Sequence, residues 1–138
     1  MNNTATRFLL MLLVSLAAFL ALDAVWLTLM AQLLYRPAIG HLMREGFDLG
    51  AAALFYLVYG TGMVTFVILP ARHMRQALLR GALFGLVAYA TYDLTNQATL
   101  RDWPWAVTLA DLAWGAFVTG MACATARLVV KPARSSSL

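Results

Sequence analysis

Residues 81–115 read GALFGLVAYATYDLTNQATLRDWPWAVTLADLAWG. Two apolar arms meet in this stretch at Arg101–Asp102–Trp103, a connection so short that the arms must return antiparallel to one another. Each arm carries one aspartate: Asp93 lies seven residues before Leu100, and Asp111 seven residues after Pro104. At 1.5 Å per residue both acids sit about 10 Å inside the ends of their helices, and therefore at one level. The arms extend from about Ala77 to Leu100 and from about Pro104 to Val130, with Pro104 placed where a helix tolerates the missing N–H.

Working outward, two further apolar runs precede this hairpin. They extend from about Phe8 to Leu34 and from about Leu49 to Leu69, where Pro70 ends the second. All four are near or above the roughly 20 residues that a helix needs to cross a bilayer. The spans are thus 8–34, 49–69, 77–100 and 104–130 within a single membrane domain, 1–138. Composition agrees: the chain is 62% hydrophobic and 12% charged, where soluble domains hold about 25% charged residues. Too few polar residues are present to cover an aqueous surface, so lipid is the solvent. Arg7 followed by small residues near Ala21 loosely resembles a secretory leader, but the run continues through Val25, Trp26, Leu27 and Leu29, and is read as a retained span.

The net charge of +4 is spread between and beyond the spans and forms no patch, which excludes nucleic acid as a partner. Arg7, Arg72, Arg75, Arg80, Arg127, Lys131 and Arg134 fall on one side; Arg36, Arg44 and Arg101 fall on the other, diluted by Glu45, Asp48 and Asp102. Seven against three places both termini in the cytoplasm of a bacterial inner membrane. Pro132 stops the last helix, and Ser135–Leu138 form a short polar tail. Residues 35–48 are expected to form the longest outer loop. The single cysteine, Cys123, excludes an internal disulfide, and His41 and His73 fall in expected loops, so no metal and no cofactor is expected in the membrane. Tyr35, Trp103 and Trp105 are read as an aromatic belt at the outer interface. Gly81 and Gly85 form a GxxxG pair that lets a neighbouring helix approach closely.

The residues that need a reason are polar ones inside the spans. Asp23, Asp93 and Asp111 each cost about 2.5–3.5 kcal/mol to insert at a helix centre, which the surrounding Leu, Val and Phe outweigh but do not call for. Tyr89, Tyr92, Asp93 and Asn96 follow the i, i+3, i+4, i+7 spacing of one helix face. Asp23–Trp26 and Asp111–Trp114 are both DxxW, on helices of opposite direction, with the indole placed to bond or shield the acid one turn away. The second span offers Tyr56, Tyr59 and Thr61 but no carboxylate. No Lys or Arg lies at this depth to pair with the acids. Either some carry protons, or a cation or cationic ligand sits among them.

LDAVWL in the first span, LFYLVYG in the second, YDLTN in the third and DLAWG in the fourth resemble the domain of unknown function 2177 family of predicted bacterial membrane proteins. The resemblance implies the membrane architecture and marks Asp23, Asp93, Asn96, Asp111 and Trp114 as signature residues. It implies no catalytic role. The sequence reading is therefore an all-α four-helix transmembrane bundle whose cluster of Asp23, Trp26, Tyr59, Tyr89, Tyr92, Asp93, Asn96, Asp111 and Trp114 binds or carries a cation, a proton or a small amphipathic ligand. The alternative is a structural or accessory subunit, in a homodimer or with another membrane protein, whose polar cluster only locks helices. An enzyme acting on lipid headgroups would bring more His, Lys or Ser to the acids, which counts against it.

Overall fold

The computed structural model describes residues 3–131; Pro132, Arg134 and the tail Ser135–Leu138 lie outside the described residues. Among the described residues the chain is helical, without strands. Helix α1 (Thr4–Met30) passes into a π-helical turn (Ala31–Tyr35), the short helix α2 (Arg36–Ile39) and a 3₁₀ turn (Gly40–Leu42). Helix α3 (Leu49–Gly62) likewise ends in a π-helical segment (Met63–Ile68). Helices α4 (Met74–Thr99) and α5 (Trp105–Val129) complete the bundle.

The first helical segment is longer than the sequence suggested. It starts at Thr4, where Asn3 Oδ1 accepts from the Ala5 N–H, and coils without a break to Leu42, which places His41 in the 3₁₀ turn and not in a loop. Pro37 falls within the first two residues of α2, where a helix start tolerates it. The connection to α3 is correspondingly short and ends on Asp48, whose Oδ1 accepts the Ala51 N–H at 3.0 Å. That backbone bond, with the exposed Arg44 guanidinium at 3.2 Å, holds the Asp48 carboxyl below the usual carboxylate range. His73 caps α4 through Nδ1 and the Gln76 N–H, while Gln76 Oε1 accepts from the Arg72 N–H.

By length and composition three segments suffice to cross a bilayer: Thr4–Leu42, Leu49–Ile68 and Trp105–Val129. Helix α4 is the exception. Its 26 residues span about 39 Å, but Tyr92, Asp93, Thr95, Asn96 and Gln97 lower its apolar content. It accompanies α5 along its length, in the most extensive packing between any two elements of the fold. Outward-facing Leu13, Leu54, Val58, Leu83 and Leu109 are all well exposed, as expected where the surroundings are lipid and the outside can be as apolar as the core.

Glycine sets the α4–α5 distance. A Cβ on Gly81 would lie 3.0 Å from Gly120 Cα, and one on Gly85 would run into the Gly115 carbonyl oxygen and Thr119. A Cβ on Gly115 would run into the Tyr89 ring. The GxxxG pair therefore serves this neighbour, within the chain. At the end holding the termini, where Arg7 Nη2 reaches the Lys131 carbonyl, the bundle is closed by Met63, Val64, Val67 and Ile68 packed with Met11, Val118 and Ala122. Buried Arg127 fixes the turn before α4, donating from Nε to the Ala71 carbonyl at 2.7 Å and from Nη2 to that of Arg72 at 2.9 Å.

The packing yields a direct expectation. Gly85→Leu should force α4 and α5 apart and lower unfolding stability by about 1–3 kcal/mol or more, whereas Gly40→Ala, with open space around it, should stay within about 0.5 kcal/mol. Denaturation in detergent checks both. Equal effects would mean that the glycine seam is not what holds the hairpin together.

Candidate functional site

The opposite half of the bundle holds the polar residues. Trp26 on α1 and Trp114 on α5 stack face to face, with centroids 4.5 Å apart and planes within 8°. Each indole N–H then reaches toward the other helix's aspartate. Trp114 Nε1 donates to Asp23 Oδ1 at 3.1 Å. Trp26 Nε1 donates to the Tyr35 hydroxyl at 2.8 Å, and that hydroxyl donates to Asp111 Oδ1. The two DxxW segments therefore bond across helices, not within them, as stacking requires: with the rings face to face, the N–H edges point outward over the partner.

Tyr35 enters this network because of the π-helical turn. Nine residues at about 100° each would place it on the far side of an α-helix from Trp26. The wider π turn takes up part of that angle, and π turns recur at functional sites. Tyr35 thus leaves the expected aromatic belt. Trp103 does too: it is 6% exposed, and its Nε1 donates to Thr108 Oγ1. Thr108 Oγ1 donates to Gln97 Oε1, and Gln97 Nε2 to the Trp103 carbonyl, closing a ring that clasps the α4–α5 turn. Trp105, 59% exposed, stays on the outside.

Asp23 and Asp111 face different surroundings. Asp23 is engaged at both oxygens, since Tyr56 on α3 donates to Oδ2 at 3.4 Å. Asp111 is buried, bonded at Oδ1 to Tyr35, and lines a cleft of about 450 Å³ together with Phe55, Tyr59, Ala88, Tyr89 and Tyr92. Beside the cleft the backbone of the α-helical part of α3 stands away from α4 and α5 and reaches them through side chains such as Tyr59. The second span packs closely on them through its π segment, at the other end. The cleft lining is mostly aromatic, and Asp111 is the acidic residue in it. Asp93 lies wholly buried beside Asp111, and neither of its oxygens has a hydrogen-bond partner among the described residues.

Of the residues singled out from sequence, Asp23, Trp26, Asp111 and Trp114 share one network, joined by Tyr35 and Tyr56. Tyr59 bonds Thr119 Oγ1 at 2.8 Å and, with Tyr89 and Tyr92, lines the cleft. Tyr92 sits at the edge of its helix face, its ring edge-on to Trp103. Asn96 is half-buried one turn along α4 from Tyr92. Tyr35 was placed in the aromatic belt, Tyr56 was offered by the second span without being assigned to the cluster, and Phe55 was not singled out. Periodicity missed Tyr35 because the π turn breaks it; Tyr56 and Tyr59 on adjacent turns of one helix were the signal for α3. No three His, Cys, Asp or Glu side chains among the described residues converge as a metal ion would need, so the three acids do not form one ligand set.

Residues 8–128, nearly the whole of the described chain, match the family described as predicted membrane protein, domain of unknown function 2177 (DUF2177), and the chain belongs to that family. Neither a curated protein nor a solved structure matches it.

A double-mutant cycle between Trp26→Phe and Tyr35→Phe tests the bridging hydroxyl. The two should couple by about 0.6–1.7 kcal/mol, the range of hydrogen bonds between membrane helices. Additive losses in unfolding stability would mean that the bridge contributes nothing.

Proposed function

We propose that this membrane protein binds a small amphipathic organic cation, taken sideways from the bilayer into the cleft between α3 and α4 and held against Asp111. One observation carries this reading: a cleft of about 450 Å³, walled by Phe55, Tyr59, Tyr89 and Tyr92, has the buried acid Asp111 in its lining. That volume falls in the range of small-molecule sites. Lipid tails are as apolar as the cleft walls, so an apolar ligand gains little by leaving the bilayer. The head decides. A positive charge meets the Asp111 carboxylate and the faces of the surrounding rings, and a desolvated cation–π contact contributes about 2 kcal/mol.

With the termini cytoplasmic, as the distribution of Arg and Lys favours, the cleft opens toward the outer leaflet of a bacterial inner membrane. A carrier would use the same site, with a second copy of the chain as its natural partner. The structural alternative draws support at Asp23, where both oxygens are taken by Trp114 and Tyr56. We assign Asp23 to holding α1, α3 and α5 together and Asp111 to the ligand.

The test uses tetraphenylphosphonium and the uncharged triphenylphosphine oxide, with the protein in lipid nanodiscs. Wild type should bind the cation and not the neutral compound. Asp111→Asn should weaken binding at least about tenfold, equivalent to about 1.4 kcal/mol, while unfolding at the wild-type temperature. Equal binding of the two compounds, or an undiminished Asp111→Asn, would overturn the proposal.

A further inference from the structure

Behind Asp111 lies a group that the cleft itself does not use. Asp93 is 0% exposed, and both its oxygens lack a partner among the described residues. Native proteins rarely leave a buried polar atom unpaired without a reason. Its carboxyl and that of Asp111 interact directly across the α4–α5 seam.

Among the described residues the surroundings supply no positive charge. Tyr35, from the continuation of α1, donates to Asp111 Oδ1. Tyr89 and Tyr92 flank the pair on α4, and Tyr59 stands across the cleft on α3, bonded to Thr119. Asp23 lies beyond the tryptophan stack with both oxygens engaged. The buried guanidinium of Arg127 is at the other end of the bundle, bound to the carbonyls of Ala71 and Arg72. The one ion pair among the described residues, Arg44–Asp48, is exposed. Two carboxyl groups side by side in such a place cannot both be ionised, and the general solution is one proton shared by two acids. That proton also gives Asp93 the hydrogen bond it otherwise lacks.

We infer that Asp93 and Asp111 together hold one proton and that a cation entering the cleft is exchanged for it. The inference rests on the ligand reading above. In the empty site the pair carries one proton and one negative charge. When the cation arrives, the proton leaves to water, the pair carries two negative charges, and the ligand contributes one positive charge. The net charge of the site is the same before and after, so the low-dielectric interior never has to hold more than one uncompensated charge. Proton and cation compete. Affinity for the cation should therefore rise about tenfold per pH unit wherever the empty pair keeps its proton. Asp93 is on this view a positioning residue: it holds the proton with Asp111 and does not touch the ligand.

The experiment measures proton release with a pH indicator in weakly buffered nanodiscs as tetraphenylphosphonium is added, beside its binding isotherm at several pH values. Wild type should release one proton per cation bound. Asp93→Asn leaves Asp111 with a neutral neighbour; it should still bind, with release near zero at neutral pH and a flattened pH dependence. Binding without release in wild type would overturn the exchange and leave the cation site standing. Undiminished release from Asp93→Asn would also overturn it, by placing the proton elsewhere. Absence of binding at every pH would remove the ligand reading and this inference together. Should Asp93→Asn fail to fold, the wild-type proton count alone decides.

Discussion

Helices α4 and α5 approach so closely that a methyl group on Gly85 or Gly115 would have nowhere to go, and the chemistry of the bundle follows from that contact. Close approach brings Asp93 and Asp111 level across the seam. It also leaves Asp93 with no exposed surface. Lipid offers no hydrogen bonds, so polar groups at this depth have to satisfy one another. Most do, through the clasp of Gln97, Trp103 and Thr108 at the turn and the bridges to Asp23 and Asp111 from the stacked tryptophans. Among the described residues Asp93 is the buried carboxyl left without a partner.

Asp23 and Asp111 meet different surroundings, and the proposed reading gives the one motif two roles accordingly. Both are the first residue of a DxxW segment and both face the same tryptophan pair. Asp23 meets Tyr56 on α3, because α3 packs against α1, and its hydrogen-bonding capacity is used up inside the bundle. Asp111 faces the side where α3 has parted from α4, so one oxygen is bonded and the carboxyl still borders a cleft. On the proposed reading, the divergence of one helix leaves Asp111, unlike Asp23, where a ligand can reach it. The two π segments matter here. The turn at Ala31–Tyr35 delivers the hydroxyl that steadies Asp111, and the segment Met63–Ile68 joins the second span to the rest at the far end.

Much of this was written in the sequence. Runs of Leu, Val and Ala long enough for a bilayer mark the helices, and the three-residue link between Leu100 and Pro104 fixes α4 beside α5. Equal spacing of Asp93 and Asp111 from that link gives their common level. Helix α4 was legible more from its partner than from its own apolar content. What could not be read was any feature that depends on departure from the 3.6-residue period. Tyr35 looked like an interfacial aromatic because an ideal helix turns it away from Trp26, and Trp103 looked like one because hydropathy does not register an indole bonded to a threonine. The direction of each indole, toward the opposite aspartate, is likewise a property of two helices in contact and of neither alone.

The central claim is that Asp111, and not Asp23, is a proton-bearing carboxyl open to the lipid phase through the cleft between α3 and α4. Labelling in membranes with dicyclohexylcarbodiimide, a lipid-soluble reagent that converts a protonated carboxyl to an N-acylurea, followed by peptide mass spectrometry, tests it most directly. Modification is expected at Asp111, suppressed by tetraphenylphosphonium, with Asp23 spared. Modification at Asp23 with Asp111 unlabelled, or labelling of Asp111 that the cation does not suppress, would contradict it.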